Sequence, residues 1–434
     1  MSRCLPRVVC GVFVAKNQIN MKPTDTTERL VYLDILRGTA IFGILLVNMM
    51  YYAHPYIYYQ IIGEIPWDSA VDRITGYAIY FFGEGKFITM FAMLFGIGMV
   101  IQMDRAGQKS VSFFSLYFRR LIILAFIGAV HAFLIWMGDI LLAYALMGFL
   151  ILFFFRNRKP KTLMKWAVFI LFIPFFLSLL MYGFAPPEAG VQDAGSMSDG
   201  EPAPELQFFN GLIDRSYEVY GAGSFGEIMK MRAIEVALYF AFGIFWMPAA
   251  LALMLFGIAI AKHGVVQNLN QNDALIRNVL LWGFIVGIAG NAMALAGFMK
   301  TDPSDYNNYW GIALYFGRAI GGPSLMLFFA TGIIYLFRNG WFHGFFNQLA
   351  SVGRMALSNY ILHSLICTTI LYSYGFGLYG SVNPFAGLLL TCAIFFAQLF
   401  ISPLWMKYFH YGPLEWVWRC GTYMKLQPFR KYDV

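Results

Sequence analysis

Long apolar runs constrain this chain more than any other feature. Ten of them recur along its 434 residues, at about 35–54, 86–103, 118–136, 139–155, 163–184, 233–261, 278–299, 310–337, 355–374 and 384–406. A bilayer core needs about 20 apolar residues as helix. Backbone groups in lipid must be satisfied within the segment, so such runs read as helices rather than open sheet. The ~10-residue alternation of a membrane β-barrel is absent. Only 12% of the residues are charged, against roughly 25% in an average soluble domain. The expected fold is all-α: a polytopic transmembrane bundle of about ten helices. The stretch 71–84 and the first half of 233–261 read as amphipathic or re-entrant.

Lys and Arg orient the bundle. With the N-terminus inside and spans alternating, 24 of the 31 basic residues fall on inner segments or the tail. This satisfies the positive-inside rule with both ends in the cytoplasm. The same bias accounts for the net charge of +8, so no nucleic-acid partner is expected. The reading divides the chain into a polar, basic extension (1–30), a first bundle half (31–184), an acidic extracytoplasmic loop (185–232), a second half (233–406) and a cytoplasmic tail (407–434). Residues 1–20 resemble a weak signal peptide or an extension. A short echo, Met93-Leu94-Phe95-Gly96-Ile97 and Met254-Leu255-Phe256-Gly257-Ile258, is weak evidence for duplication. Cys4, Cys10, Cys367, Cys392 and Cys420 show no metal-ligand spacing.

Ionisable groups inside a membrane cost about 2.5–3.5 kcal/mol mid-helix on insertion scales, so they mark candidate sites. The first span carries Asp34 and Arg37, then Asn48 about 16 Å further along the same face, and ends at His54-Pro55. The third carries Arg119 and Arg120 and, eleven residues after Arg120, His131, too deep to snorkel. Asp139 follows at a tight turn, where it can cap the fourth helix. On the ninth, Asn359 and His363 share a face, with His363 about 13 Å into the span. Arg318 precedes Gly321-Gly322-Pro323, where a kink is expected, and Glu84 and Lys86 flank Gly85 at a re-entrant turn. Each has a bland reading as a snorkelling residue, a helix contact or a buried pair. Together they describe a polar interior rich in His and Arg and poor in acid, suited to an anionic or carbonyl ligand. No phosphate loop, dinucleotide fingerprint, His-Glu-x-x-His or Gly-x-Ser-x-Gly occurs.

Arg29-Leu30-Val31-Tyr32-Leu33-Asp34-Ile35-Leu36-Arg37-Gly38 with Gly43-Ile44-Leu45-Leu46-Val47-Asn48 resembles the opening of the YeiB family of bacterial inner-membrane proteins. Glu84-Gly85-Lys86-Phe87, His131-Ala132-Phe133, Gly138-Asp139-Ile140-Leu141 with Tyr144, Gly353-Arg354-Met355-Ala356-Leu357-Ser358-Asn359-Tyr360 and Gly412-Pro413-Leu414-Glu415-Trp416 follow in the family's order. His363 stands where relatives more often carry Gln.

That family is similar to the transmembrane acyltransferases, which include the lysosomal heparan acetyltransferase. The resemblance implies transfer of an acyl group from cytosolic acyl-coenzyme A to an acceptor at the outer face of the bacterial inner membrane. In the heparan enzyme an Asn and a His follow the same Asp-x-x-Arg-Gly opening; Asn48 and His54 correspond, with shorter spacing. His54 or His131 is then the expected base, with Asn48 assisting. Arg37, Arg119, Arg120, Arg354 and Lys86 are the expected donor-binding cations. Asp139, Tyr144, Arg318, Asn359 and His363 are expected along the substrate path. No metal is implied, and self-association is compatible with the sequence. The rival reading is a transporter for a small anion or carboxylate, with Arg318, His131 and His363 on its path; a non-catalytic scaffold is a third.

Overall fold

The computed structural model describes residues 31–108, 110–184, 204–266, 272–301 and 309–431. Expectations for residues 1–30, with Cys4 and Cys10, fall outside them. The described residues form seventeen α-helices: α1 (Val31–Ala53), α2 (Tyr56–Ile62), α3 (Ala70–Phe82), α4 (Lys86–Gln108), α5 (Phe113–Val130), α6 (Leu141–Leu150), α7 (Pro160–Leu171), α8 (Ile173–Phe184), α9 (Pro204–Ala222), α10 (Phe225–Ala241), α11 (Met247–Lys262), α12 (Asp273–Lys300), α13 (Trp310–Arg338), α14 (His343–Arg354), α15 (Ala356–Leu371), α16 (Pro384–Tyr408) and α17 (Pro413–Tyr423). Among them the only β pairing is an isolated bridge between Phe409 and Arg430.

Seven helical stretches are long and apolar enough to cross a bilayer: 31–53, 70–108, 113–135, 160–183, 273–300, 310–338 and 384–408. The pair Phe225–Phe245 and Met247–Lys262, bent by 61°, makes an eighth if it is taken as one span. The other two expected spans are the shorter apolar helices Leu141–Phe155 and Ala356–Leu371. At 15 and 16 residues these reach about 22–24 Å, less than a bilayer core of about 30 Å.

Residues 70–108 correct the expectation of a re-entrant turn. Helices α3 and α4 continue one another as a single 39-residue stretch, interrupted at Gly83–Gly85, where Gly85 adopts φ +80°. The break lies inside the bundle, because Gly83 abuts Val47 and Gly43 abuts the Phe87 ring, both near the middle of α1. Lys86 is therefore buried at mid-depth rather than outside. Arg318 sits on a helix that runs through Pro323 unbroken.

Basic residues collect at one end of the bundle. There Lys262 donates to the carbonyls of Arg156 (2.6 Å) and Arg158 (3.0 Å). Arg338 pairs with Asp273 at 2.7 Å, Arg119 donates to the Thr422 carbonyl at 3.1 Å, and the Arg120 guanidinium lies 3.5 Å over the Trp418 ring. Basic segments distant in sequence thus converge on one end of the bundle.

Two close helix crossings hold the bundle together. The echoed segments pack on each other: a Cβ on Gly96 of α4 would collide with the Met254 carbonyl of α11, and one on Gly257 with the Met93 carbonyl. The repeat is thus explained by a reciprocal small-residue crossing of the kind that lets membrane helices approach closely. In the same way Gly38 of α1 abuts the Leu349 carbonyl and Gly353 of α14 the Asp34 carbonyl. Because these contacts join 31–184 to 233–406, the two halves interleave in one core.

Near the basic end, Glu415 of α17 accepts the Leu357 and Ser358 amides (2.7 and 3.1 Å) and the Ser358 hydroxyl (2.5 Å) at the start of α15. Ser358 Oγ in turn accepts the Leu414 amide at 3.0 Å. The two helices cap each other, which is why the Gly353–Tyr360 and Gly412–Trp416 segments belong together. Glu415→Ala is expected to destabilise by about 1–2 kcal/mol, the cost of losing a good cap. Thermal melting of the detergent-solubilised protein checks this; an unchanged midpoint rules the cap out.

The expected outer loop is largely helical where it is described. Residues 204–222 form α9, and Ser224 and Glu227 make a capping box that starts α10. Leu206, Phe209, Leu212, Ile213, Tyr217 and Tyr220 turn one face of α9 into the core beside Tyr58. The loop reading rested on the Pro, Gly and acidic residues between 186 and 202, which lie outside the described residues.

Candidate functional site

A cavity of about 520 Å³ opens within the bundle among α1, α2, the α3–α4 break, the bend before α11, and α12 and α13. Its lining reaches Gly43 and Phe87 at mid-depth and Gly63, Thr301 and Gly311 at the end opposite the basic residues. Its polar wall is a connected rail. Tyr51 donates to Gln60 Oε1 at 2.9 Å, and Gln60 Nε2 contacts both Glu84 oxygens at 3.2 and 3.1 Å. Glu84 pairs with Arg318 at 3.7 Å, and Arg318 Nε donates to the Tyr80 hydroxyl at 3.2 Å. Lys86 Nζ donates to the Tyr80 carbonyl at 3.2 Å. Among the described residues Glu84 is thus the one carboxylate on this wall, paired with the Arg318 guanidinium. Pro323 lacks the amide that would bond the carbonyl four residues earlier; that residue, Ala319, lines the cavity with Gly322 and Pro323.

Behind the adjoining wall lies a chain of four groups. Helix α5 ends in a π-helical turn, His131–Ile135, a local widening often found at functional sites. It is closed by Trp136 N donating to the His131 carbonyl at 2.8 Å. The chain then turns through Gly138, whose carbonyl accepts the Tyr360 hydroxyl at 3.1 Å. Asp139 follows, and both its oxygens are engaged: Oδ2 accepts the Leu142 amide at 2.6 Å, capping α6, and Oδ1 lies 2.8 Å from His131 Nδ1. His131 Nε2 is 2.7 Å from Ser364 Oγ on α15, which is 2.6 Å from the Tyr52 hydroxyl on α1. His131, Asp139 and Ser364 have 0% exposed surface.

Because an ionised Asp139 only accepts, it fixes the His131 proton on Nδ1 and leaves Nε2 to receive the Ser364 proton. The Asn48 side chain lies within polar reach of the Tyr52 hydroxyl and itself lines the cavity. The hydrogen-bonded line Asp139–His131–Ser364–Tyr52 therefore ends near Asn48 on the cavity wall. Between that line and the cavity stands Trp136, which lines the cavity and packs on Tyr52 at 4.0 Å between ring centroids. Its indole Nε1 has no hydrogen-bond partner among the described residues.

The structure thus brings His131, Asp139 and Asn48 together, and places Lys86 and Arg318 on the cavity wall. It sets His54 apart: Nε2 lies 3.1 Å from the Val382 carbonyl and Nδ1 3.2 Å from the Tyr217 hydroxyl. With a carbonyl on one nitrogen and a hydroxyl on the other, its ring joins α1 to the outer connections. Tyr144 donates to the Ile88 carbonyl at 2.5 Å. His363 Nε2 meets Gln398 at 2.8 Å, and Asn359 donates to the Val352 carbonyl and Ser402 (3.1 and 3.2 Å), so both tie α15 to neighbouring structure.

Arg37, held by Asp34 at 2.9 Å, lies with Arg419 near enough to act on the Arg120 charge. Arg354 acts instead on His410 and Lys431. Partial burial first, then the charges of Lys431 and Arg354, hold the His410 pKa below the ordinary imidazole value. Sequence reasoning missed Ser364 and Tyr52. A lone serine in an apolar helix is ordinary in membranes, and its adjacency to His363 was the only signal.

A family model described as "Protein of unknown function (DUF418)" matches residues 260–425, from the end of α11 through α17. The uncharacterized protein YxaH of Bacillus subtilis (strain 168) is 35% identical over 430 residues, covering 95% of this chain and 98% of the relative. The uncharacterized protein YeiB of Escherichia coli (strain K12) is 30% identical over 415 residues, covering 90% of this chain and 96% of the relative. An uncharacterized 39.9 kDa protein from the amylase 3' region of Bacillus acidopullulyticus is 27% identical over 410 residues. Near-full-length identity at this level, on an all-helical membrane fold, means that the chain belongs to the YeiB family.

Proposed function

We propose that this membrane protein is an acyltransferase of the bacterial inner membrane, moving an acyl group from cytosolic acyl-coenzyme A to a hydroxyl or amine acceptor that enters from the outer side. The observation that carries the reading is the hydrogen-bonded line from Asp139 through His131 to a hydroxyl, next to a cavity. Acyl transfer needs a base with a fixed tautomer, and a buried carboxylate on Nδ1 supplies one. It also needs donors for the developing oxyanion; the Tyr52 hydroxyl, 2.6 Å from Ser364 Oγ, and the Asn48 amide near it are the candidates. Arg318 with the hydroxyl and amide donors of the cavity wall favours an anionic or carbonyl-bearing ligand. At the basic end, Arg37, Arg120 and Arg419 form a cluster that matches the phosphates of coenzyme A.

The reading is tested by binding acetyl-coenzyme A to detergent-purified protein, with coenzyme A and ATP as controls. Saturable thermal stabilisation is expected, about tenfold weaker in Arg120→Ala or Arg37→Ala, the scale of one lost charge-assisted contact (~1.4 kcal/mol). No stabilisation at millimolar ligand with a monodisperse sample would sink it.

One observation favours a second reading, a small-anion transporter: two interrupted helices, at Gly83–Gly85 and before α11, meet at the cavity, and transporters build substrate sites from such helices. Counterflow in liposomes without any acyl donor would establish it.

A further inference from the structure

We infer that Ser364 is a nucleophile and carries the acyl group as an ester between donor and acceptor. This rests on the acyltransfer reading and deepens it, turning one direct transfer into two half-reactions.

The geometry is that of an activated hydroxyl. Ser364 Oγ is 2.7 Å from His131 Nε2, and His131 Nδ1 is 2.8 Å from Asp139 Oδ1. A hydroxyl has one proton and two lone pairs. With Nδ1 protonated toward Asp139, His131 Nε2 accepts the Ser364 proton, so the Tyr52 hydroxyl, 2.6 Å away, is left to donate to one lone pair and the other is free to attack. Asp139 is held from its far side by the Leu142 amide at 2.6 Å, and Tyr360 packs 5.0 Å from the His131 ring between centroids. The three groups come from α15, the end of α5 and the turn before α6, so no local structural need explains their alignment. Trp136, whose indole Nε1 has no hydrogen-bond partner among the described residues, stands between Ser364 and the cavity from which the acceptor comes.

In the first half-reaction His131 Nε2 takes the Ser364 proton, Oγ bonds to the thioester carbonyl carbon, and the carbon–sulfur bond breaks. The coenzyme A thiolate leaves with the proton from His131. In the second, His131 takes a proton from the acceptor hydroxyl or amine, which bonds to the acyl carbon. Ser364 Oγ leaves and recovers its proton from His131. No oxidant, reductant or metal is required.

The test uses the full-length protein in detergent and two probes, with modified peptides located by mass spectrometry. A fluorophosphonate reports an activated serine whatever the natural donor; acetyl-coenzyme A without acceptor reports the acyl-enzyme. We expect both to modify Ser364 with a stoichiometric burst of free coenzyme A. Fluorophosphonate modification should slow about 100-fold or more in His131→Ala, the scale of a lost general base. Ser364→Ala should lose both adducts. Ser364→Cys, which keeps the shape, should take the acetyl group as a hydroxylamine-labile thioester.

Fluorophosphonate labelling of Ser364 without acetylation keeps the nucleophile and overturns acyl-coenzyme A as its donor. Acetyl transfer to acceptor that persists undiminished in Ser364→Ala keeps the acyltransferase and overturns the acyl-serine. Absence of both adducts at Ser364, in a monodisperse sample, overturns the inference as well.

Discussion

Asp139→Asn is expected to lower acyl transfer by about 10⁴-fold, the scale of the equivalent change in serine-protease triads, while acetyl-coenzyme A binding stays unchanged. The carboxamide is nearly isosteric and Asn is as good a helix cap as Asp, so its oxygen can keep the Leu142 amide that now bonds Oδ2. Its NH₂ group then faces His131 Nδ1, which lies 2.8 Å from Oδ1. A donor there forces Nδ1 to accept and moves the imidazole proton to Nε2. That nitrogen, 2.7 Å from Ser364 Oγ, can then only donate to the hydroxyl and cannot receive its proton. The variant should melt within about 1 kcal/mol of the parent with its rate collapsed. Steady-state transfer rates beside thermal melts provide the check. Loss of the fold together with the rate would make Asp139 a cap and nothing more.

Gly96→Val and Gly257→Val should each destabilise the bundle by about 3 kcal/mol, the upper end of overpacking costs. At either position the added carbons meet a backbone carbonyl of the facing helix, Met254 for Gly96 and Met93 for Gly257. A carbonyl in a helix cannot rotate away as a side chain can, so α4 and α11 must separate. Because the same separation relieves both clashes, the double variant should cost less than the sum of the singles. Gly107→Ala, on the same helix but with nothing within 4 Å of its added carbon, serves as the neutral control. The damage should also reach the cavity, since the first turns of α4 supply Lys86 and Thr89 to its wall. Melting curves followed by size exclusion measure the effect. A valine at position 96 that melts with the parent would show that the helices do not cross this closely.

Much of the site could be read in part. His131 was recognisable because a histidine that deep in an apolar run has no interfacial water to satisfy it, and Asp139 because it follows a glycine at a turn. Asn48 stood out because it lies three helical turns after Arg37 on the same face. His54 had equal claims in the sequence, yet its ring meets Tyr217 and Val382, because Pro55 ends α1 just after it and turns it toward the outer connections. The expectation of a re-entrant turn at Glu84 and Lys86 failed for a different reason. A break inside a span and a turn outside one carry the same Gly-rich composition; only the packing of Gly43 on Phe87 and Gly83 on Val47 fixes the depth.

The sequence by itself determined that the chain is a helical membrane bundle and where its basic residues lie along it. Both depend on properties of single segments: the apolar content of one helix, which satisfies its own backbone, and the charges flanking it. Which polar groups meet depends instead on how helices rotate and cross. Successive helical residues point about 100° apart, so His363 turns to Gln398 on α16 while its neighbour Ser364 turns to His131, 233 positions away in the chain. Only the tertiary structure decided that, because α15 is held by partners distant in the chain: Glu415 bonds Ser358, and the Asp34 carbonyl meets Gly353 just before the helix.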